Sequence, residues 1–399
     1  MEVKFISIPV GAGDCLCLIL ENDGEKFSIM IDCGKYNPAV KSFVHDYLKL
    51  HIDLLIITHI DNDHVCGVTQ LIDSEPDLYI GEILFNSYQR EPIKDSEILT
   101  EDQKRKIKKL KGELDIIVDI TENSKINAED AKLLSETILK YEKSNKKEIW
   151  KRAYTSEETA NLKLGDKSQF GELVFLSPSV QNLKELDKEF IHMFKALFYP
   201  KNENDSVVNS SIFELIIQYI NLRDTNEFNN EKISATPHLS KSFFTRLMKE
   251  KATDNSFPNR ASMAFTWTYN GIPRMLFLGD ASHEQVCKGL NDKYPGKHLI
   301  FDLIKISHHG SKGNTSEELM NLVDSDLYVI PGGRTNGGPS YETIAKILMR
   351  PLPPQLTQRT LLFSKSTNIV NDIKNNIDKL SFIPQFNISN DATPINFSY

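Results

Sequence analysis

Seven consecutive residues, Thr58-His59-Ile60-Asp61-Asn62-Asp63-His64, carry four side chains able to ligate a metal. They follow the apolar run Leu54-Leu55-Ile56-Ile57 and precede Val65-Cys66-Gly67-Val68. An unbroken aliphatic run reads as a strand buried on both faces, and glycine followed by apolar residues suits a helix packed back onto it. The candidate ligands therefore sit at the carboxyl end of a strand. In an extended loop His59 and Asp61 point the same way, while Asp63 and His64 open the helix and face a second point nearby. That arrangement suits two adjacent divalent cations, with Asp63 also placed to orient or deprotonate a metal-bound water. The plainer reading is a solvated turn rich in Asp and His, which explains poorly why four such side chains follow a buried strand so closely.

Such a loop needs a frame, and the flanking sequence supplies one. Val3 to Val10, Leu16 to Leu20 and Phe27 to Ile31 alternate like strands between glycine-containing turns, an opening antiparallel meander. Within it Asp14 and Asp32 stand beside glycines at strand ends, where they can hydrogen-bond the metal loop from behind. Helical spacing over Ala39 to Leu50, ahead of the strand at Asp53 to Ile57, gives the chain an α/β character. Another strand is predicted at Tyr79 to Phe85. From 88 to 160 the chain is rich in Lys and Glu and reads as a helical insertion, with a patterned helix from Ala128 to Tyr141. Strands are predicted at Glu172 to Leu176 and Asn209 to Ile217, and residues 221–259 read as a second insertion. The hairpin Met263 to Leu278 turns at Asn270-Gly271 and ends in Gly279-Asp280. A strand from Leu303 ends in His308-His309-Gly310-Ser311, another at Leu327 to Ile330 ends in Pro331-Gly332-Gly333, and a helix follows at Tyr341 to Met349. Beyond Pro351 only Thr360 to Phe363 carries a strand signal, as an edge. Polar residues gather past strand ends, where α/β folds place their sites. We read one domain over 1–399 with the two insertions inside it.

Composition narrows the class. The chain has 399 residues, 40% hydrophobic and 26% charged, as in a soluble globular protein. No apolar run is long enough to span a membrane, and Met1 to Phe5 enters a strand pattern at once, so a cytoplasmic protein with no membrane partner is expected. The five cysteines form no CxxC pair and lie mostly in apolar patterns, like reduced buried thiols. A net charge of −8 argues against a surface that grips nucleic acid everywhere, although Lys104 to Lys111 is a dense basic patch. A solvated helix face explains that patch as well.

Two further segments carry candidate ligands. Asp280 is a carboxylate able to bridge two cations; taken alone it reads equally as a helix cap. His308-His309, taken alone, reads as a polar loop. Both shift toward metal once coupled to residues 58–64.

With these placed, the chain resembles a known family. Thr58 to His64 resembles the HxHxDH signature of the metallo-β-lactamase superfamily, with Asp61 where the second His usually stands. Gly11-Ala12-Gly13-Asp14, Ile31-Asp32-Cys33-Gly34, the metal loop, Leu176-Ser177-Pro178, Leu278-Gly279-Asp280 and Leu303 to Ser311 occur in the order seen in the soluble domain of ComEC-type DNA-uptake proteins. The resemblance runs to about Tyr341 and implies a four-layer αββα sandwich with a dinuclear site at its edge. No stretch corresponds to the membrane channel of those proteins, so transport is not implied. By the same analogy one ion takes Asp63, His64 and His308. The other takes His59 and Asp61 and lacks its usual third imidazole, for which Asn209 and Asn259 are the nearest counterparts; Asp280 is shared. Carboxylate at Asp61 makes the second position harder and shifts its preference from Zn toward Mn or Mg. The family's closing Gly-His-Pro-Ser reads Gly337-Gly338-Pro339-Ser340 here, without the His.

The expected activity is metal-dependent hydrolysis of a phosphodiester, nuclease action included, with one or two Zn or Mn ions activating water. His309, Ser311, Lys312, Asn314, Arg334 and Asn336 lie in loops suited to hold substrate or to back the ligands. Hydrolysis of a neutral ester, lactone or lactam uses the same water. A regulatory or defence-system subunit with a degenerate site, binding a protein through residues 88–160, is the non-enzyme alternative. Metal content separates that last reading from the first two, and a substrate panel separates the enzymes.

Overall fold

The computed structural model describes residues 1–87, 133–152, 154–159, 161–198, 238–254, 256–333, 338–390 and 393–399, with residues 105, 109, 213, 214, 216 and 217. Two twisted sheets lie face to face. The first runs in the order β17-β1-β2-β3-β4-β5-β6, from strands Ile395–Ser398, Glu2–Ser7, Leu16–Asn22, Glu25–Ile31, His51–Ile57, Tyr79–Phe85 and Trp150–Lys151. The second runs β16-β15-β14-β12-β10-β9-β8-β7. Its strands, in that order, are Phe386–Ser389, Arg359–Phe363, Leu327–Ile330, Leu303–Lys305, Ile272–Phe277, Ala264–Tyr269, Glu172–Ser177 and Leu162–Lys163, and a two-stranded sheet pairs β11, Leu299–Phe301, with β13, Val323–Ser325.

Period-two alternation assigns each side chain to a layer. In β4, Leu54 and Ile56 face the other sheet, meeting Phe265, Trp267, Phe277 and Leu303. Leu55 and Ile57 face outward, onto Val40, Val44, Val68, Leu71, Ile138 and Phe190 from the covering helices. On the far side Leu276, Ile304, Tyr328 and Leu361 pack beneath Phe244, Val286, Leu290, Ile344, Ile347 and Val370. Three hydrophobic layers between four layers of structure make the αββα sandwich, so the near-continuous apolar strands follow from burial on both faces.

Strand direction decides where chemistry gathers. β3 and β4 are parallel, as are β10, β12 and β14, so Asp32, residues 58–64, Asp280, His308 and Pro331 all follow carboxyl ends.

Several expectations change. Phe213, Glu214, Ile216 and Ile217, expected in a strand, are helical. Their apolar members all enter the first core, as i, i+3, i+4 spacing permits, and a short apolar run alone cannot separate the two readings. Glu214 also caps the helix Leu134–Asn145, accepting from Leu134 N at 2.7 Å and Ser135 N at 3.0 Å. Within 88–160, that helix and β6 join the first half of the sandwich, and Trp150 donates its indole N–H to Phe85 O at 3.0 Å. Arg105 and Lys109 of the basic patch are helical and exposed; the rest of that patch lies outside the described residues. Within 221–259, the helix Lys241–Met248 buries Phe244 and Leu247. β15 is interior, flanked by β14 and β16, and the C-terminal β17 pairs with β1. The closing strands β16 and β17 escaped the sequence reading because their faces are mixed and partly exposed. Among the described residues no helix is long and apolar enough to cross a membrane.

A buried ion network ties the second sheet to its helices. Arg359 reaches Asp324 with Nε at 2.9 Å and Nη2 at 2.6 Å, and Arg350 and the Tyr328 hydroxyl add bonds at 3.3 and 2.8 Å. Removing one partner of a buried pair strands the other charge. Arg359→Met is expected to cost about 3–5 kcal/mol, read as a lower denaturant midpoint, with divalent-metal content unchanged.

Candidate metal centre

The metal loop is clamped before any ligand is considered. Asp61 caps the helix Asn62–Ser74 at φ −67° and ψ 145°, leaving Asp63 and His64 in its first turn. Gly13 and Gly34 close on the Asp63 carbonyl from two sides; a Cβ on either would lie 1.9 or 2.1 Å from that oxygen. Only glycine permits such an approach. Gly67, one turn on, rests against Cys33, where a Cβ would meet the carbonyl at 2.6 Å. Asp32, at a positive φ of 56°, then pins both ends of the loop. Its carboxylate accepts from Thr58 N at 2.8 Å, Thr58 Oγ1 at 2.7 Å and His64 Nδ1 at 2.8 Å.

Those bonds fix the imidazoles. His64 gives its Nδ1 proton to Asp32, so Nε2 presents a lone pair, 3.5 Å from Asp280 Oδ2. Thr58 has already donated its single hydroxyl proton to Asp32 and can only accept from His59 Nδ1, at 3.1 Å. His59 Nε2 is thus also a lone pair, 3.7 Å from Asp280 Oδ2 and 3.5 Å from Asp61 Oδ2. His309 Nδ1 lies 3.0 Å from both Asp14 Oδ1 and the Pro331 carbonyl, leaving Nε2 3.2 Å from Asp63 Oδ2. His308 Nδ1 meets Asn314 Oδ1 at 3.0 Å, and its Nε2 stands 3.9 Å from Asp280 Oδ2. Each ring is anchored at Nδ1 by an acceptor, and each turns Nε2 toward a carboxylate oxygen.

Two acceptors that face each other in a buried place need a proton or a cation between them. Ligands about 2.1 Å from a tetrahedral ion stand about 3.4 Å apart, the scale of these separations. His59, His64 and Asp280 form one group whose ligand atoms lie within 4.8 Å of one another, and Asp63, His64 and His309 form a second. His59 Nε2, His64 Nε2 and Asp280 Oδ1 are also buried without a hydrogen-bond partner among the described residues. The residues fit divalent ions, with Asp280 central to the set.

Protons take the same place when metal does not. Burial pulls the His64 pKa down, but Asp280 and Asp32 prevail and hold it well above the usual imidazole value. Burial acts likewise on His309, and the carboxylates of Asp14 and Asp63 raise it to about 10. Burial alone would raise Asp280; the charges of His64, His308 and His59 drive it well below the carboxylate range.

The sequence candidates are placed as follows. His59, Asp61, Asp63, His64, Asp280 and His308 converge, with Asp14 and Asp32 behind them. His309 stands beside Asp63 and His64, where analogy had put His308. The two residues share a left-handed turn, φ 49° and 50°, which splays neighbouring side chains apart, and Asp14 draws the second ring inward. Asn314 is buried behind His308, Ser311 is half-buried and Lys312 exposed. Arg334, Asn336 and Asn209 lie outside the described residues. Gly338 rests on His309, where a Cβ would meet the carbonyl at 2.8 Å, so a His side chain there would need the backbone to move.

Several contributors escaped the sequence reading. Lys305, 1% exposed, reaches Asp14 Oδ2, Gly279 O at 2.7 Å and Asp280 Oδ1 at 3.6 Å. A lysine inside the apolar run Leu303 to Ile306 was the available signal. Ser262 Oγ, accepting from Asp280 N at 3.0 Å, and Asp254 gave none.

Imidazoles that hold protons at neutral pH must release them to bind metal. Zn²⁺ uptake by metal-free protein at pH 7 is expected to release protons, and apparent affinity to fall as pH drops. Calorimetry in two buffers of different ionisation enthalpy measures this; no buffer dependence would contradict the assignment. Asp32→Asn should weaken divalent binding by about 10–100-fold, read by competition with a chelating dye.

Residues 10–117, which include the metal loop, match the model of the metallo-beta-lactamase superfamily. ComE operon protein 3 of Bacillus subtilis (strain 168) is 25% identical over 151 residues, 38% of this chain. The chain covers only 18% of that protein's length. Among solved structures, Igni18, a metallo hydrolase from the hyperthermophilic archaeon Ignicoccus hospitalis KIN4/I, is 14% identical with a TM-score of 0.39 over all of both chains. The metallo-beta-lactamase fold protein YhfI from Bacillus subtilis is 9% identical with a TM-score of 0.37, again over all of both. Over residues 10–117, the stretch that carries the ligand loop, the chain is similar to the metallo-beta-lactamase superfamily.

Proposed function

We propose that this chain is a metal-dependent hydrolase acting on phosphodiesters, with nucleic acids and nucleotides in that class. The observation that carries the reading is the set of imidazole Nε2 atoms turned, with their Nδ1 atoms anchored, toward the oxygens of Asp280, Asp61 and Asp63. Divalent cations bound there supply a water of lowered pKa and offset charge on the phosphoryl oxygens.

The protein's own groups do the rest. Asp280, 2% exposed, is held between His59, His64 and His308 and would be the carboxylate shared by two bound cations. Asp61 and Asp63 are 22% and 20% exposed and His308 37%, whereas the side chains of His59, His64 and His309 are at most 6% exposed. Substrate and water therefore approach across Asp61, Asp63 and His308. Asp63 borders that opening and can accept a hydrogen bond from the attacking water, orienting it for in-line displacement. Lys312, exposed just beyond the histidine turn, favours an anionic substrate over a neutral lactone. Carboxylate at Asp61 makes its side of the site oxygen-rich, which favours Mn over Zn there.

Metal-free protein reconstituted with Mn or Zn and offered bis(p-nitrophenyl) phosphate, single-stranded DNA, cyclic dinucleotides and a lactone tests this directly. Phosphodiester turnover supported by Mn is expected. Asp280→Ala should reduce it to background while the protein still melts cooperatively. Turnover of the lactone alone would overturn the substrate class, and a chain that binds no metal would overturn the hydrolase reading.

A further inference from the structure

His308 differs from the other three imidazoles. It is the most exposed of them and belongs to neither compact ligand group. Yet its orientation is determined with care, by a segment outside every recognised motif. Asp254 accepts from the Asn314 amide nitrogen at 2.6 Å and from the Asn259 amide nitrogen at 2.7 Å through one oxygen, and from Ser256 N at 2.9 Å through the other. The Asn314 nitrogen also donates to the Asp280 carbonyl at 3.1 Å. Its amide is thereby oriented, because the nitrogen faces two acceptors and the oxygen is left for His308 Nδ1. The Asn259 nitrogen at 3.3 Å and Asp254 Oδ2 at 3.8 Å also border His308 Nδ1; with Asn314 Oδ1 as the nearest acceptor, Nδ1 carries the proton and Nε2 faces Asp280 Oδ2 at 3.9 Å. The backbone reinforces the link: a Cβ at Gly313 would lie 2.6 Å from the Thr253 carbonyl, so the loop bearing Asp254 is seated directly on the loop bearing Asn314. Asn259 Oδ1 is buried without a partner among the described residues, as expected if this side chain is held for its nitrogen's bond to Asp254.

We propose that Asp254 is a positioning residue: acting through Asn314, it aims His308 Nε2 at the substrate bound over Asp280, and His308 meets substrate or water instead of serving as a resident metal ligand. This rests on the phosphodiesterase reading. A carboxylate suits the task because one oxygen can accept from two amides and so fix both at once, whereas an asparagine at 254 would offer an NH₂ group to one of them. His308, Asp61 and Asp63 are the partly exposed members of the set, whereas His59, His64, His309 and Asp280 are buried. A displacement of its ring would leave the buried ligand groups intact and disturb only what enters from solvent.

The experiment is a double-mutant cycle of Asp254→Asn and His308→Asn, Asn being tolerated at a left-handed position. Metal content and melting temperature are read alongside kcat and KM for bis(p-nitrophenyl) phosphate. Each single variant should retain wild-type metal stoichiometry and lose about 10²-fold in kcat/KM, and the double variant should lose no more than His308→Asn alone. Asn314→Ser, which cuts the same link from the other end, should match Asp254→Asn and replaces it if that variant melts early. Loss of an ion in His308→Asn would make His308 a ligand and overturn the proposal, as would additive losses in the double variant. Wild-type protein without metal or without phosphodiester turnover would instead overturn the function from which the proposal starts.

Discussion

The Asp32 carboxylate is the constraint on which the centre depends. Its two oxygens accept from Thr58 N, Thr58 Oγ1 and His64 Nδ1, joining the end of β4 to the first turn of the following helix. A buried carboxylate that loses these donors would be left unpaired, at a cost of several kcal/mol. The same bonds propagate: with the Thr58 hydroxyl proton spent on Asp32, His59 is forced into the tautomer that turns Nε2 inward. One acidic side chain therefore sets two imidazoles that have no direct bond to each other.

The same device recurs with different anchors. Asp14 and the Pro331 carbonyl hold His309, and Asn314 holds His308, each at Nδ1. Orientation of a ligand by the group behind it raises metal affinity because the ring loses little freedom when it binds. The charge this requires is large for an interior. Asp14, Asp32 and Asp280 are each at most 2% exposed, and Lys305 lies between two of them as a fixed positive charge. The lysine ties the end of β12 to the turn before β1's neighbour strand, so that electrostatic balance and loop packing are met by one side chain.

Packing sets the remaining tolerance. The clasp of Gly13 and Gly34 on the Asp63 carbonyl leaves no room for side chains, and Gly332 makes a comparable approach to the Ala12 carbonyl, 2.1 Å from a would-be Cβ. Backbones this close transmit a shift in one loop to the next, because a packed interior has no slack to absorb it. The sandwich supplies the rigid ends from which these loops project; the loops themselves carry the chemistry.

Much of this was legible in the chain. The ligand loop, its buried strand, the hairpin before Asp280 and the strand before His308 could be read because spacing along a strand or helix fixes local geometry. Asp14 and Asp32 were visible as acids beside glycines at strand ends. The helical state of Phe213, Glu214, Ile216 and Ile217 was not, since an apolar run of that length satisfies both periods. The closing strands β16 and β17 were hidden by their mixed, partly exposed faces.

Sequence by itself determined which metal-competent residues follow strand ends, since that is a consequence of residue type and local period. Only the tertiary structure decided which of two adjacent histidines stands beside Asp63, a contact between residues 246 apart in the chain. It also decided that Lys305 neutralises Asp14 and that Asp254 reaches His308 through Asn314. Such choices depend on how loops from different strands pack against one another, and no periodicity within a single segment encodes a distance to another.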